Sequence, residues 1–333
     1  MKAVVLVGGF GTRLRPLTET VPKPMLPVGH VPIIERLIAN LGRGGIIEVT
    51  LALGFKSEPF VAAFPDGECA GVALRYAVEP EPLDTAGAIR FAAEVAGIDD
   101  TFVVVNGDIL TDLDITELVN FHREHDAKAT IHLIGVPDPS AFGVVAVDAA
   151  GRVERFVEKP APGTAPSNLV NAGTYVLEPS VLQLIPAGQK VSIERATFPL
   201  VAQTGGLYAM ATSDYWLDAG RPELYLQANL DILAGTRRYD HCVPVHATAI
   251  VDSAAAIENS VIGAGAHVGR ADVRNSVLLP GAVVEDDAVV TDSLVMGRVG
   301  AGAVMHDSVL GADAVVAPGE HLSSERRPDP NLT

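Results

Sequence analysis

Four tripeptides, Ser260-Val261-Ile262, Ser276-Val277-Leu278, Ser293-Leu294-Val295 and Ser308-Val309-Leu310, recur at spacings of 16, 17 and 15 residues. An internal repeat of so short a period limits the possible folds severely, because no single unit can bury a core of its own and neighbours must stack to make one. Further aliphatics fall five or six residues apart, as at Ile262, Val268, Val273 and Leu278, among glycines and other small residues. Stacked coils of three short parallel strands require that pattern, with an aliphatic at each inward position and little bulk at the corners. A flat antiparallel sheet would alternate with period two instead. Four or five coils fit between His246 and about Pro318.

The amino-terminal part follows another grammar. Ala3-Val4-Val5-Leu6-Val7 is β-branched and lacks polar alternation, which predicts a strand buried on both faces. Gly8-Gly9-Phe10-Gly11-Thr12-Arg13-Leu14-Arg15-Pro16-Leu17-Thr18 then leaves its carboxyl end, where open α/β sheets bind ligands. Glycines let the backbone approach a bulky anion, and N–H groups in such a loop cradle phosphate oxygens. Arg13 and Lys23 supply cationic charge, so the run reads as a triphosphate-binding loop. It is not a P-loop, since no Lys-Ser or Lys-Thr follows at the required spacing. Nor is it the dinucleotide fingerprint, since Leu14 stands where the third glycine is needed.

Strands are expected at Val49–Leu53, Val72–Val78, Phe102–Val105, Thr130–Val136, Val144–Val147, Val153–Val157 and Thr174–Leu177. Helices are expected at Val31–Leu41, ending at Gly42, at Thr85–Val95, at Asp114–Asp126 with Asp114 as N-cap, and at about Pro222–Leu233. Alternating strands and helices predict a largely parallel sheet. Asp108, following Asn106-Gly107 at the mouth of a strand, suits magnesium beside a triphosphate. That ion takes one or two carboxylates and completes its shell with phosphate oxygens and water.

Together with Pro22-Lys23-Pro24-Met25, the loop resembles the signature of the sugar-1-phosphate nucleotidyltransferases, G-x-G-T-R-L-x-P-L-T followed by P-K-P-M. The resemblance extends over roughly residues 1 to 235, through Glu158-Lys159-Pro160, Asn171-Ala172-Gly173 and Trp216-Leu217-Asp218-Ala219-Gly220. It implies a mainly parallel, Rossmann-like α/β nucleotidyltransferase sheet over 1–235. The repeat looks like a left-handed β-helix of hexapeptide type over 246–320, and 321–333 reads as a loose tail.

The resemblance also implies roles. Arg13 and Lys23 would be catalytic, with Gly8, Gly9, Gly11, Thr12, Glu79, Thr85 and Gly87 on the nucleotide. Gly143, Glu158, Lys159, Asn171 and Gly173 would hold the sugar phosphate, and Asp108 and Asp218 would hold Mg2+. One departure stands out: the family usually has glycine where Asp84 stands, beside the turn that borders the base. Glu79-Pro80-Glu81-Pro82-Leu83 looks most like the mannose-1-phosphate guanylyltransferases of the family, and Glu79 favours guanine. One carboxylate can accept from both N1–H and the exocyclic amine of that base. Thymidylyl, uridylyl and adenylyl transfer to glucose 1-phosphate are the alternatives within the family.

Composition narrows the partners. A formal net charge of -17 disfavours nucleic acid and anionic membranes, so a nucleotide must be held by local basic groups. No apolar run approaches the roughly 18 residues of a membrane span, and the amino-terminal apolar stretch is too short for a signal core. Two distant cysteines, Cys69 and Cys242, suggest neither a disulfide framework nor a metal site. These features predict a cytoplasmic enzyme that takes a nucleoside triphosphate and a sugar 1-phosphate, and stacked coils favour a homo-oligomer. Two other classes compete: a hexapeptide acyltransferase using His267 or His306, and a regulatory homologue that binds nucleotide sugar without turnover.

Overall fold

A computed structural model of the chain describes residues 1–9, 11–54 and 57–330, so Phe10 of the glycine loop and residues 331–333 of the expected tail lie outside it. The chain packs as two compact units, one of Met1–Gly9 with Leu37–Trp216, the other of Phe10–Arg36 with Leu217–Thr333.

The first unit is built on a mixed sheet. Lys2–Leu6 lies at its centre, paired in parallel with Glu48–Leu53 on one side and Phe102–Asn106 on the other. Val72–Val78 continues the parallel set beyond Glu48–Leu53. The strands have the apolar runs expected of two-sided burial, with Ala3, Val4, Val5 and Phe102–Val105 all buried. Beyond Phe102–Asn106 the pairing turns antiparallel, through Leu169–Leu177 to Gly143–Val147 and Val153–Glu158. The linkers between these last strands are too short for a crossover helix, so the parallel order expected from the alternating pattern stops there. Ala129–Gly135 pairs with both Leu169–Leu177 and Leu207–Thr212.

The helices fall near their expected places. Asp114 accepts from the N–H of Thr116 at 2.8 Å and Glu117 at 3.4 Å, capping Ile115–Glu124. The first long helix, Ile33–Arg43, runs through Gly42 rather than ending there. A methyl group on Gly42 would sit 2.9 Å from Val72 Cγ2, so packing selects this glycine and not a helix stop. Similarly, Asn171-Ala172-Gly173 does not open a strand but lies inside Leu169–Leu177, at a bulge in its register with Ala129–Gly135.

In the second unit, three five-stranded parallel sheets form the faces of a β-helix that begins at Ile250–Val251. Ile262, Val268, Val273 and Leu278 point inward and are buried, with the equivalent residues of later coils. The recurring serine has a physical cause. Ser260, Ser276, Ser293 and Ser308 are buried, and each hydroxyl donates to the carbonyl two residues earlier at 2.7 Å. Each also accepts an N–H from the next coil at 3.0–3.1 Å, the last from Glu325. The residue before each serine, Asn259, Asn275, Asp292 or Asp307, has φ between 43° and 50°, the left-handed corner that Asn and Asp tolerate best. Residues 321–327 are therefore no loose tail. His321–Ser323 and Arg326–Arg327 are the last strands of two faces, because the Ser308 hydroxyl and the buried Leu322 continue the ladder into them.

Candidate active site

In the second unit the loop after Gly9 begins with Gly11 at φ 61°. A methyl group there would lie 3.0 Å from Thr18 Cγ2 and 3.2 Å from Lys23 Cβ, while the Thr18 hydroxyl donates to the Gly11 carbonyl at 2.7 Å. Thr12–Leu14 then forms one 3-10 turn anchored by the buried Leu14 and Leu17. This turn presents Arg13, and a second 3-10 turn at Lys23–Met25 presents Lys23. Both cations face Asp218. Lys23 Nζ lies 3.2 Å from Oδ1 and Arg13 Nη2 lies 3.9 Å from Oδ2. Lys23 is buried, whereas the Arg13 side chain is 61% exposed.

Gly220 completes the arrangement. A methyl group on it would lie 2.8 Å from Asp218 Oδ1, 3.0 Å from Arg13 Nη2 and 3.0 Å from Lys23 Nζ, so three charged groups converge on one bare Cα. Two cations beside a carboxylate can hold the oxygens of a phosphate chain.

The first unit holds the other expected residues. Glu79 leaves the end of Val72–Val78, half-buried, and its Oε2 accepts the N–H of Leu83 at 2.9 Å. Its Oε1 lies 3.7 Å from where a methyl group on Gly8 would stand, and Gly54 closes the other side of Gly8. Burial raises the Glu79 carboxyl above the ordinary range, and the Leu83 hydrogen bond opposes this. Among the described residues outside its chain neighbours, none comes within 4 Å of where a methyl group on Gly9 would stand.

The expected glycine at position 84 is replaced without loss of the turn, for Asp84 itself adopts φ 59°. Thr85 and Gly87 serve the helix start. The Thr85 hydroxyl donates to Glu194 Oε2 at 2.8 Å and accepts the Ile193 N–H at 2.8 Å. The N–H groups of Ala86 and Gly87 go to the Val191 carbonyl, and a methyl group on Gly87 would collide with the Gln189 carbonyl at 2.5 Å. These bonds occupy the donors of the helix start and the Thr85 hydroxyl.

Glu158 lies across Gly143, with Oε2 2.8 Å from the position a methyl group would take. Lys159 follows at φ 47° with an exposed side chain, its Nζ 3.9 Å from Glu158 Oε1. The Asn171 side chain folds onto its own bulge, donating to the Tyr175 hydroxyl at 2.9 Å and accepting from the Gly173 N–H at 2.9 Å. Gly173 has φ 75°, and a methyl group on it would meet Asn106 Nδ2 at 2.6 Å. Asp108 follows Gly107, whose bare Cα allows the close approach of Val7 and Leu6.

Glu194 escapes sequence reasoning because beside Ser192 it looks like an ordinary helix start. Its Oε2 accepts from both Thr85 and Ser192. Burial, followed by the charge of Glu194, raises the Glu158 carboxyl against the opposing pull of Lys159 and Arg195. Burial, again followed by Glu194, lifts the Tyr175 phenol well above its usual range. The Asn171 hydrogen bond opposes that shift, and Glu158 and Asp108 add smaller upward pushes. Glu194 thus bonds the Thr85 turn, and its charge acts on Glu158. Of the two histidines considered for acyl transfer, His267 is exposed on its strand and His306 Nδ1 bonds the Thr291 hydroxyl at 2.9 Å.

Residues 2–235 match the nucleotidyl transferase family and residues 246–331 the GlmU-like C-terminal hexapeptide family. Mannose-1-phosphate guanylyltransferase of Mycobacterium tuberculosis is 39% identical over 89% of this chain and 83% of its own length. A rice protein described as a mannose-1-phosphate guanylyltransferase is 38% identical over 89% and 86%. Among solved structures, HddC from Yersinia pseudotuberculosis in complex with GMP-PN superposes with a TM-score of 0.59 at 29% identity, covering 68% of this chain and 97% of that one. A Bacillus anthracis chain assigned as a glucose-1-phosphate thymidylyltransferase superposes with a TM-score of 0.64 at 26% identity, over 73% and 98%.

Proposed function

From the premise that the chain belongs to the nucleotidyl transferase family, we propose that it transfers a guanylyl group from GTP to mannose 1-phosphate, giving GDP-mannose and pyrophosphate. The observation that carries the transfer chemistry is the convergence of Arg13, Lys23 and Asp218 on Gly220. A phosphate oxygen of the sugar 1-phosphate attacks the α-phosphorus, the bond from that phosphorus to the bridging oxygen breaks, and pyrophosphate departs with the electron pair. The nucleophile is anionic near neutral pH, so no general base is needed. Positioning and charge neutralisation remain.

Residue roles follow the charge. Arg13 holds the leaving phosphates and Lys23 the α-phosphate, with Gly9, Gly11 and Thr12 lending backbone donors. Lys159 brings in the sugar phosphate, and Glu158 and Asn171 border the sugar beside Gly143 and Gly173. Glu79 reads guanine: Oε2 has a second lone pair beside the one that accepts from Leu83, and Oε1 can accept as well.

The reading includes Mg2+. Among the described residues no group of three or more His, Cys, Asp or Glu could hold an ion alone. That fits a cation taking one or two carboxylates and completing its shell with phosphate oxygens and water. The Asp218 oxygen 3.9 Å from Arg13 is beyond hydrogen-bond reach and keeps its lone pairs. Asp108 and Asp218 are the proposed donors, and the bound ion would neutralise charge on the bridging phosphate oxygens. Asp108→Asn and Asp218→Asn should each abolish most turnover and raise the magnesium concentration needed for half-maximal rate. A near wild-type rate at ordinary magnesium in either variant would refute its assignment.

The enzyme is proposed to work in the cytoplasm as a homo-oligomer. Among the described residues no helix is long and apolar enough to cross a membrane, and Cys69 and Cys242 are not joined in a disulfide. Light scattering of the purified chain tests the oligomer.

Pyrophosphate release measured over a matrix of four triphosphates and several sugar 1-phosphates tests substrate choice, with GTP and mannose 1-phosphate expected to give the highest kcat/KM. Glu79→Gln should lower kcat/KM for GTP about tenfold by removing a charged acceptor, and relax preference toward UTP and dTTP. Because burial raises the Glu79 carboxyl, the KM for GTP should rise on acidification at a pH above the ordinary carboxylate range, and Glu79→Gln should flatten that rise. A wild-type preference for a pyrimidine triphosphate would overturn the assignment of the base.

A further inference from the structure

We propose that Arg326, on the last strand of the β-helix, is a positioning residue for Arg13, an inference that rests on the nucleotidyl-transfer reading above. Arg326 Nη1 donates to the Arg13 carbonyl at 2.9 Å and lies 3.5 Å from the Arg15 carbonyl. A second contact, made by shape, lies one residue further along the loop. A methyl group on Gly311 would stand 2.9 Å from Pro16 Cβ, so the loop rests against a bare Cα of the adjoining coil. The turn from Gly11 to Leu17 is thus held from outside as well as by the buried Leu14 and Leu17.

Strand pairing fixes the backbone of the anchor, and the side-chain bonds of its neighbour Arg327 are separate from it. Arg326–Arg327 pairs with Val309–Leu310, and Arg327 makes two hydrogen bonds to the Glu320 carboxylate, at 2.8 and 3.1 Å, and another to the Val315 carbonyl at 3.1 Å. Arg13 needs such support. Its side chain is largely exposed and its guanidinium lies 3.9 Å from Asp218, too far for a hydrogen bond, so the place of its charge depends on its backbone. The contact lies beside an open cleft of about 670 Å³ lined by Thr12, Arg15, Ser324, Glu325, Arg326 and Asp329. Shortening Arg326 therefore removes a bond without opening a void in a packed core.

The test compares Arg326→Ala, Arg326→Lys and Arg327→Ala in the full chain. In Arg326→Ala, KM for GTP, and for pyrophosphate in the reverse reaction, should rise about tenfold from loss of a charged donor, while KM for mannose 1-phosphate stays close to wild type. Arg326→Lys should restore most of the loss, because an ammonium can still donate to the Arg13 carbonyl. Arg327→Ala breaks the Glu320 pair and should lower thermal stability without that selective KM change. Amide exchange over residues 12–17 should quicken in Arg326→Ala and not in Arg327→Ala. Unchanged exchange, or equal shifts in all KM values, would overturn the proposal. Absence of turnover in the wild-type chain with every substrate pair would instead refute the functional reading, and the exchange comparison would still decide whether Arg326 holds the loop.

Discussion

At the scale of single residues the site is organised by bare Cα positions as much as by charge. Gly220 is the sharpest case, because the three charged ends around it all lie within 3.0 Å of where a side chain would begin. Gly220→Ala should leave the fold intact, since those ends can swing away. On the roles proposed for Arg13, Lys23 and Asp218 it should lower kcat about a hundredfold, because misplacing such groups by an ångström costs that much. Steady-state kinetics beside a thermal melt check this; unchanged kcat would show that the convergence is incidental. Gly8 is similar in kind, and its missing side chain lets Glu79 stand beside its backbone. Asp84 shows the converse, a residue other than glycine holding a left-handed turn at a cost of roughly 1 kcal/mol.

At the scale of elements the β-helix is stabilised by a repeated bond and not only by aliphatic stacking. Ser276 shows why, since it is fully buried, donates to the Arg274 carbonyl and accepts from the Ser293 N–H. Ser276→Ala should cost about 2 kcal/mol by leaving a buried N–H without its acceptor. Urea unfolding monitored by circular dichroism measures it, and a loss well under 1 kcal/mol would mean that water or a shifted coil takes the place of the hydroxyl. The repeat was legible as a period, and its aliphatics as an interior. That the serines form a ladder was not, because a hydroxyl's partners lie one coil away.

At the scale of the whole molecule, stability should depend on pH through a buried histidine that has no part in the proposed chemistry. His132 lies in the Ala129–Gly135 strand, fully buried, and burial lowers its pKa from 6.5 to about 4. The unfolded chain therefore binds a proton between those values that the folded chain refuses, so stability falls as pH drops through that window. This one group should cost about 2 kcal/mol between pH 7 and pH 5. His132→Gln should flatten the dependence over that range in denaturant titrations, whatever its effect at pH 7. An unchanged slope would exclude His132 as the cause.

Local chemistry determined much of this protein without help from tertiary structure. Two-sided apolar runs specified the central strands, Asp114 specified a helix start, and the serine period specified stacked coils, because each depends on neighbours in sequence or on a fixed repeat. The glycine loop was legible for the same reason, as glycines and cations at set intervals, and its role toward a triphosphate stays part of the proposed function. Tertiary structure alone decided where the parallel order stops, that the coils continue through Arg327, and that Gly42 packs instead of terminating a helix. It also brought Glu194 onto the Thr85 hydroxyl, and Arg326 onto the Arg13 carbonyl. These depend on groups up to 313 residues apart in the chain, brought within hydrogen-bond reach only when the coils and the loop pack, and no local pattern encodes such a distance.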